Sequence, residues 1–341
     1  MPCSTARHAP CGRTSTEAIV PASEFALIER YFRKAGAMRA DVRLGMGDDA
    51  ALLDSPADCE LVAAIDTLVE GVHFPKGSAP ASIGHRVLAV NLSDLAAMGA
   101  RPAWALLALT LPCVDEAWLD EFAAGFASLA RAHDVALVGG DTTAGPLCAT
   151  VQVLGHVPRA KALLRSGASP GDLLFISGTP GDAAAGLAIE QSQLAAPESA
   201  AGYLRSRFLY PAPRLALGSA LRDYASACID VSDGLLGDAG KLAQASGCGL
   251  RMEWQDLPLS AQLLAAVGEQ RAHELALTGG DDYELCFAVP AARAALLQHN
   301  LPSERWGYRR IGLIEKQHGA RVTRAGNVIE FSHSGHDHFG G

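Results

Sequence analysis

No stretch of about 18 apolar residues runs through the 341-residue sequence, so no segment has the length of a membrane span. Basic residues are scarce as well. Lys and Arg number 28 against 37 Asp and Glu, a net charge of −9, which argues against nucleic acid as a partner because that needs a basic face. The eight cysteines (Cys3, Cys11, Cys59, Cys113, Cys148, Cys228, Cys248 and Cys286) form no CxxC pair, so neither a zinc knuckle nor a thioredoxin-type motif is present. Most lie in apolar runs, where a reduced Cys acts as a small hydrophobe, and a reducing cytoplasm fits best. The P-loop GxxxxGK[ST] and the HRD and DFG pieces of protein kinases are missing. No short-period repeat occurs. The start, MPCSTARHAPCGRTSTEA, has no apolar h-region and reads as a disordered leader over residues 1–22.

What is present is a globular composition, with 49% apolar and 19% charged residues, and enough chain for two domains of roughly 150 residues. Ser23 is placed to cap a helix carrying Phe25, Ile28, Tyr31 and Phe32. Strands are expected at Ala50–Leu53 and Leu61–Ile65, then a helix from Ile83 to Met98 that stops at Gly99. Trp104–Leu111 reads as a buried strand, Asp115 as the cap of a helix reaching His133, and Val135–Val138 and Ala149–Val157 as strands. A polar, Pro- and Gly-containing segment from Pro158 to Asp172 marks a domain boundary. Beyond it come strands at Leu173–Ser177, Gly249–Trp254, Leu285–Val289 and Tyr308–Glu315. Helices are expected at Asp182–Gln193, Pro213–Ala225 and Gly234–Ala245. The fold class is mixed α/β (α+β): two α/β domains, residues 23–158 and 159–341.

One local design recurs. An apolar strand runs into Gly or Thr and ends in aspartate, at Asp48-Asp49, Asp66, Asp141, Asp230–Asp233 and Asp281-Asp282. Strand ends are where α/β folds bind ligands. Each instance taken singly is also a good turn or cap. Asp94 differs, because it lies in the apolar helix LAVNLSDLAAM and a buried carboxylate needs a partner. Several such carboxylates are tolerable together if they share a hard cation such as Mg²⁺, which in turn points to bound phosphates. The turn Gly178-Thr179-Pro180-Gly181 offers backbone amides at a helix start as one place for phosphate, or is an ordinary turn.

The pieces GMGDDAALL, AIDTLVEGVHF, AVNLSDLAAMGARPAW, LVGGDTT, RSGASPGD, IDVSDGL and GGDDYELCF appear in that order. From about Glu24 to the C-terminus the sequence resembles the thiamine-monophosphate kinases. Their superfamily includes aminoimidazole ribonucleotide synthetase, selenophosphate synthetase and a hydrogenase maturation factor. The resemblance implies two domains of the aminoimidazole ribonucleotide synthetase-like type, a homodimer, ATP as co-substrate and several Mg²⁺ ions. Carried over by motif, it implies Asp49, Asp66, Asp94, Asp141, Asp230 and Asp233 as metal ligands. It implies Gly140, Asp141, Arg165 and Ser232 at the nucleotide, and His73, Asp281 and His336 at the substrate. Asp281 stands where the family usually has Glu, Ala64-Ile65 where relatives often have Ser-Thr, and His336 where an aromatic Tyr is usual.

The implied reaction moves the γ-phosphoryl group of ATP onto the phosphate of thiamine monophosphate, giving thiamine diphosphate and ADP by direct in-line transfer. No general base is needed, since a phosphate with a second pKa of about 6 is mostly dianionic at neutral pH. Two other readings stay open. One is an ATP-dependent ligase of the same superfamily; the other is a sensor that binds ATP and Mg²⁺ without turnover. The His-rich ending Ser332–Phe339 could hold zinc by composition, but the resemblance of its DHF piece favours a structural tail.

Overall fold

A computed structural model describes residues 23–331 and Gly335. The leader 1–22 and His336 therefore lie outside the described residues. Ser23 caps the first turn as expected, its hydroxyl accepting from the Ala26 amide at 3.3 Å. The chain then runs through α1 (Glu24–Leu27), continued by a wide turn to Phe32, and β1 (Val42–Leu44), β2 (Leu52–Leu53), β3 (Cys59–Val69) and α2 (Pro80–Ala97). Next come β4 (Arg101–Leu111), α3 (Glu116–Ala132), β5 (Ala136–Ala144) and β6 (Cys148–Pro158). The second half holds β7 (Leu173–Ser177), α4 (Asp182–Glu190), α5 (Glu198–Leu209), α6 (Leu215–Leu221), β8 (Ala227–Val231) and α7 (Leu235–Ala245). It ends with β9 (Gly249–Glu253), α8 (Ala261–Thr278), β10 (Glu284–Val289), α9 (Ala294–Asn300), α10 (Ser303–Trp306), β11 (Tyr308–Glu315), β12 (Gly319–Arg324) and β13 (Asn327–Ile329).

The first half builds a four-stranded sheet in the order β3-β6-β4-β5, in which only β4 and β5 are parallel. Helices α2 and α3 cover its inner face. Asp115 caps α3 as its position predicts, Oδ1 accepting from the amides of Ala117 and Trp118 at 3.0 and 3.1 Å. The second half builds a seven-stranded sheet, β13-β12-β9-β11-β7-β10-β8, antiparallel except for the β9–β12 pair.

Helix α2 is apolar nearly all the way round and is buried on nearly all sides, as such a helix must be. It lies between the two sheets. Val87, Leu88 and Leu92 belong to one continuous core with Val151 and Leu107 of the first sheet and Phe175, Phe287 and Tyr308 of the second. Ala162 and Leu163 join this packing, with Leu163 buried and its amide bonded to the Met98 carbonyl at 3.1 Å. Four helices escape the sequence reading: α5, α8 and the short α9 and α10. Helix α5 is too polar to show a stripe. Helix α8 is interrupted at Gly268, whose φ of 75° breaks the helical period.

The outer face of the four-stranded sheet is covered only in part, by Val42, Ala51 and Leu53 packed over Trp104 and Val138. On the edge strand β3, Leu61 and Ile65 stay 53% and 62% exposed.

Candidate active site

Alternation along β3 turns Asp66 inward, toward α2, which presents Asp94. Strand β8 carries Asp230 one residue before its end at Val231, and the loop after it carries Ser232 and Asp233. The loop before β10 adds Asp281 and Tyr283. Arg165 enters from the segment that links the sheets. Together with His73, these residues line a cavity of about 420 Å³ at the junction of the two halves. The Val69 amide donates to Nδ1 of His73 at 3.0 Å, which fixes the ring at the cavity wall. Asp94, Arg165 and Asp230 also line an adjoining cavity of about 580 Å³ that runs along Ala64 and Ile65. These three side chains are thus a shared wall between two spaces.

The wall is electrostatically uncomfortable. Burial pushes the Asp94 carboxyl up to about 8, and nearby Asp230 and Asp66 add to the rise, while Arg165 works against it. Burial likewise pushes Asp230 up to about 6 and raises Asp66. Carboxyls that hold their protons for want of a counter-charge form an all-oxygen donor set suited to hard divalent cations. Among the described residues no three His, Cys, Asp or Glu side chains converge into a ready-made metal cage.

The remaining members of the expected set are placed elsewhere. Asp49 is exposed after the Gly45–Asp48 segment, its amide donating to Asp48 Oδ1 at 2.8 Å. Asp141 shares a row across the sheet with Ala108, Thr150 and Thr67, one residue on from the row of Asp66. Its side chain therefore belongs to the face opposite Asp66. Gly140 lies in the Asp66 row, but its backbone sits against Leu107 so closely that a Cβ would stand 1.8 Å from the Leu107 carbonyl oxygen. Neither Asp49, Gly140 nor Asp141 lines the cavity of Asp94.

Two loops differ from the simplest phosphate-cradle expectation. The Gly181 amide is taken by the buried Asp282 carboxylate at 2.8 and 3.0 Å, so the Gly178–Gly181 turn is anchored internally. In the same way Asp238 Oδ2 accepts from the amides of Ser232, Asp233 and Gly234 at 3.0, 2.9 and 3.3 Å. Asp238 escaped the sequence reading, although its place in the first turn of α7 is the signal for such an N-terminal carboxylate. Glu284 is fully buried and holds Arg207, Arg214 and the Ser177 hydroxyl beside Gly178, at the start of the Gly178–Gly181 turn. Asp281, expected at the substrate, does line the cavity. It is already ion-paired, through Oδ1, to Nη2 of Arg86.

Architecture and cavity together define the class. Residues 47–157 match the family model described as AIR synthase related protein, N-terminal domain, and residues 169–324 match AIR synthase related protein, C-terminal domain. Within that class the chain belongs to the thiamine-monophosphate kinase family. It is 47% identical over 318 residues to the thiamine-monophosphate kinase of Salmonella typhimurium, covering 93% of this chain and 98% of that relative. The crystal structure of the thiamine-monophosphate kinase from Stenotrophomonas maltophilia superposes with a TM-score of 0.82 at 46% identity, over 90% of this chain and 98% of that one. AaThiL complexed with AMPPCP and TMP gives a TM-score of 0.71 at 32% identity, over 86% and 92% of the two chains.

Proposed function

We propose that this chain transfers the γ-phosphoryl group of ATP to the phosphate of thiamine monophosphate, yielding thiamine diphosphate and ADP. The carrying observation is the wall of Asp94, Arg165 and Asp230 shared by two adjoining cavities. Two anionic substrates placed one on each side would bring their phosphates together at that wall. The acceptor is a phosphate oxygen, mostly ionised at neutral pH, so no side chain has to remove a proton. The task left to the chain is to align and neutralise.

Asp66, Asp94, Asp230 and Asp233 are the residues that would hold Mg²⁺. When bound, Mg²⁺ supplies the positive charge that lets two phosphates approach. Arg165 and Ser232 are proposed at the nucleotide, and His73 and Asp281 at the acceptor. The half-covered outer face of the first sheet, with exposed Leu61 and Ile65 on an unpaired edge strand, fits burial against a second copy of the chain. A homodimer is proposed on that ground. The buried free thiols of Cys228, Cys248 and Cys286 suit a reducing cytoplasm, and among the described residues no helix is long and apolar enough to cross a membrane.

The test is direct. Purified protein is mixed with ATP, Mg²⁺ and thiamine monophosphate, with free thiamine as control, and the products are separated. Thiamine diphosphate and ADP in equal amounts are expected, from a species sedimenting at twice the chain mass. Mg²⁺-dependent ATP binding without thiamine diphosphate would replace the kinase reading with the ligase or the sensor.

A further inference from the structure

Five carboxylates line the main cavity, and the structure sorts them. Asp66, Asp94 and Asp230 face one another across the wall and are buried or half-buried. Asp233 pairs with Lys241 at 2.6 Å, a half-exposed partner. Asp281 alone is paired with a buried cation. Arg86 has only 3% of its side chain exposed, and Nη2 donates to Asp281 Oδ1. Nη1 is fixed as well, while Nε is buried without a hydrogen-bond partner among the described residues. Nη1 donates to the Phe208 carbonyl at 2.6 Å, and the guanidinium carbon lies 4.3 Å from the Phe208 ring centroid and 5.6 Å from that of Tyr283. Tyr283 donates its hydroxyl to the same Oδ1 at 3.3 Å. Among the described residues both of these bonds fall on Oδ1, which leaves Oδ2 for a ligand. The loop is held at a conformational cost, since Asp281 and Tyr283 have φ of 71° and 50°, where side chains are disfavoured.

Arg86 and Asp94 stand eight residues apart on α2, about 12 Å along a helix. The helix therefore places a buried cation behind Asp281 of the cavity wall and, about two turns on, the Asp94 carboxyl in the wall itself. The geometry points to Arg86 as a positioning and specificity-determining residue: it holds Asp281 in one orientation and partly neutralises it. Asp281 is thereby kept from joining Asp66, Asp94 and Asp230 around divalent cations and is reserved for the cationic heteroaromatic end of the acceptor substrate. A half-neutralised carboxylate competes poorly for a hard dication but still accepts a hydrogen bond and attracts a delocalised organic cation. The shorter reach of Asp281, relative to the Glu usual at this position in the family it resembles, makes fixed placement more important. This inference rests on the kinase reading above.

The test compares Arg86→Met, Arg86→Lys, Asp281→Asn and the double variant Arg86→Met/Asp281→Asn with the wild-type chain. Arg86→Met should raise the KM for thiamine monophosphate at least about tenfold, the scale of one lost charge-assisted contact, with the KM for ATP within about threefold of wild type. Arg86→Lys should recover part of that loss. The double variant should be no worse in this KM than the poorer single variant, because both remove one unit. A KM for thiamine monophosphate that stays at the wild-type value in Arg86→Met, with only the folded fraction or kcat lowered, overturns the proposal; so does an additive double variant. Should Arg86→Met not fold, Asp281→Asn carries the decision: a KM for thiamine monophosphate at the wild-type value there means that Asp281 is not reserved for the acceptor and overturns the proposal. Calorimetric binding of thiamine monophosphate gives a second readout that needs no turnover. Failure of the wild-type chain to make thiamine diphosphate counts against the kinase reading; a normal substrate KM in the variants of an active chain counts against Arg86 alone.

Discussion

At the scale of the residue, Asp94 was legible and Arg86 was not. A carboxylate inside LAVNLSDLAAM is out of place unless something pairs with it, and that tension is visible in the sequence. Arg86 looks like any helical arginine, because its partner is 195 residues away and only the folded chain joins them. Asp238 and Glu284 were hidden for the same reason: they serve loops, and their value appears only when the loop amides and arginines are counted. The separation of Asp141 from Asp66 was hidden because a motif gives identity but not the face of a sheet. For Asp94 the structure makes a double expectation. The group is held protonated by burial and by neighbouring carboxyls, so its ionised form weakens the fold while serving the site. Asp94→Asn keeps the shape and removes the charge. Turnover should fall by at least about a hundredfold, the scale of one strong electrostatic contact in a transition state. Thermal stability without divalent cations should be unchanged or raised, as at other sites where function is held against stability. Steady-state assays and a calorimetric scan on the same preparation check both halves. A folded variant with near-normal turnover at limiting Mg²⁺ would remove Asp94 from the site.

At the scale of the element, periodicity and caps located α2, α3 and most strands, while bounds moved where packing rather than pattern sets the end. The helix expected over Pro213–Ala225 is a shorter α6, Leu215–Leu221, because the chain must turn from α6 into β8, which starts at Ala227, within a few residues. That short helix does more than its length suggests. Gly218 rests on the backbone of α2, and a Cβ there would stand 1.9 Å from the Ala96 carbonyl oxygen. No side chain can be accommodated unless the helices part. Ala96 is two residues from Asp94, so a displacement of α6 reaches the wall of the cavity. Gly218→Ala should cost about 1–3 kcal/mol, as overpacking of a tight contact does, and should lower Tm visibly. Turnover should fall with it. A melting curve that coincides with wild type would mean that the two helices separate freely and that α2 is not set by this contact.

At the scale of the whole molecule, the buried titratable groups make stability depend on pH in two opposed directions. His85, His133 and His156 are all held below the usual histidine value, in each case mainly by burial. The folded chain therefore binds fewer of their protons than the unfolded chain does below about pH 6.5, and their contribution to stability is lost as pH falls through that window. Asp66, Asp94, Asp182, Asp230 and Asp282 are raised, again chiefly by burial. They keep protons in the fold that the unfolded chain releases above about pH 4, so their contribution is lost as pH rises. The net curve mixes both signs, and a single variant separates them. His85 Nε2 donates to the Pro211 carbonyl at 2.9 Å across the junction of the two halves. It packs edge-on against Tyr210 at 5.3 Å and lies beside Arg86, whose charge further disfavours an imidazolium. His85→Gln keeps a donor for Pro211 and removes the titration. The difference in Tm, wild type minus variant, should shrink as the buffer goes from about pH 7.5 to 5.5, because only the wild type must hold an unprotonated ring against rising acidity. A difference that stays constant over that range would mean that His85 titrates alike in the folded and unfolded chain, and that acid weakens the fold through other groups.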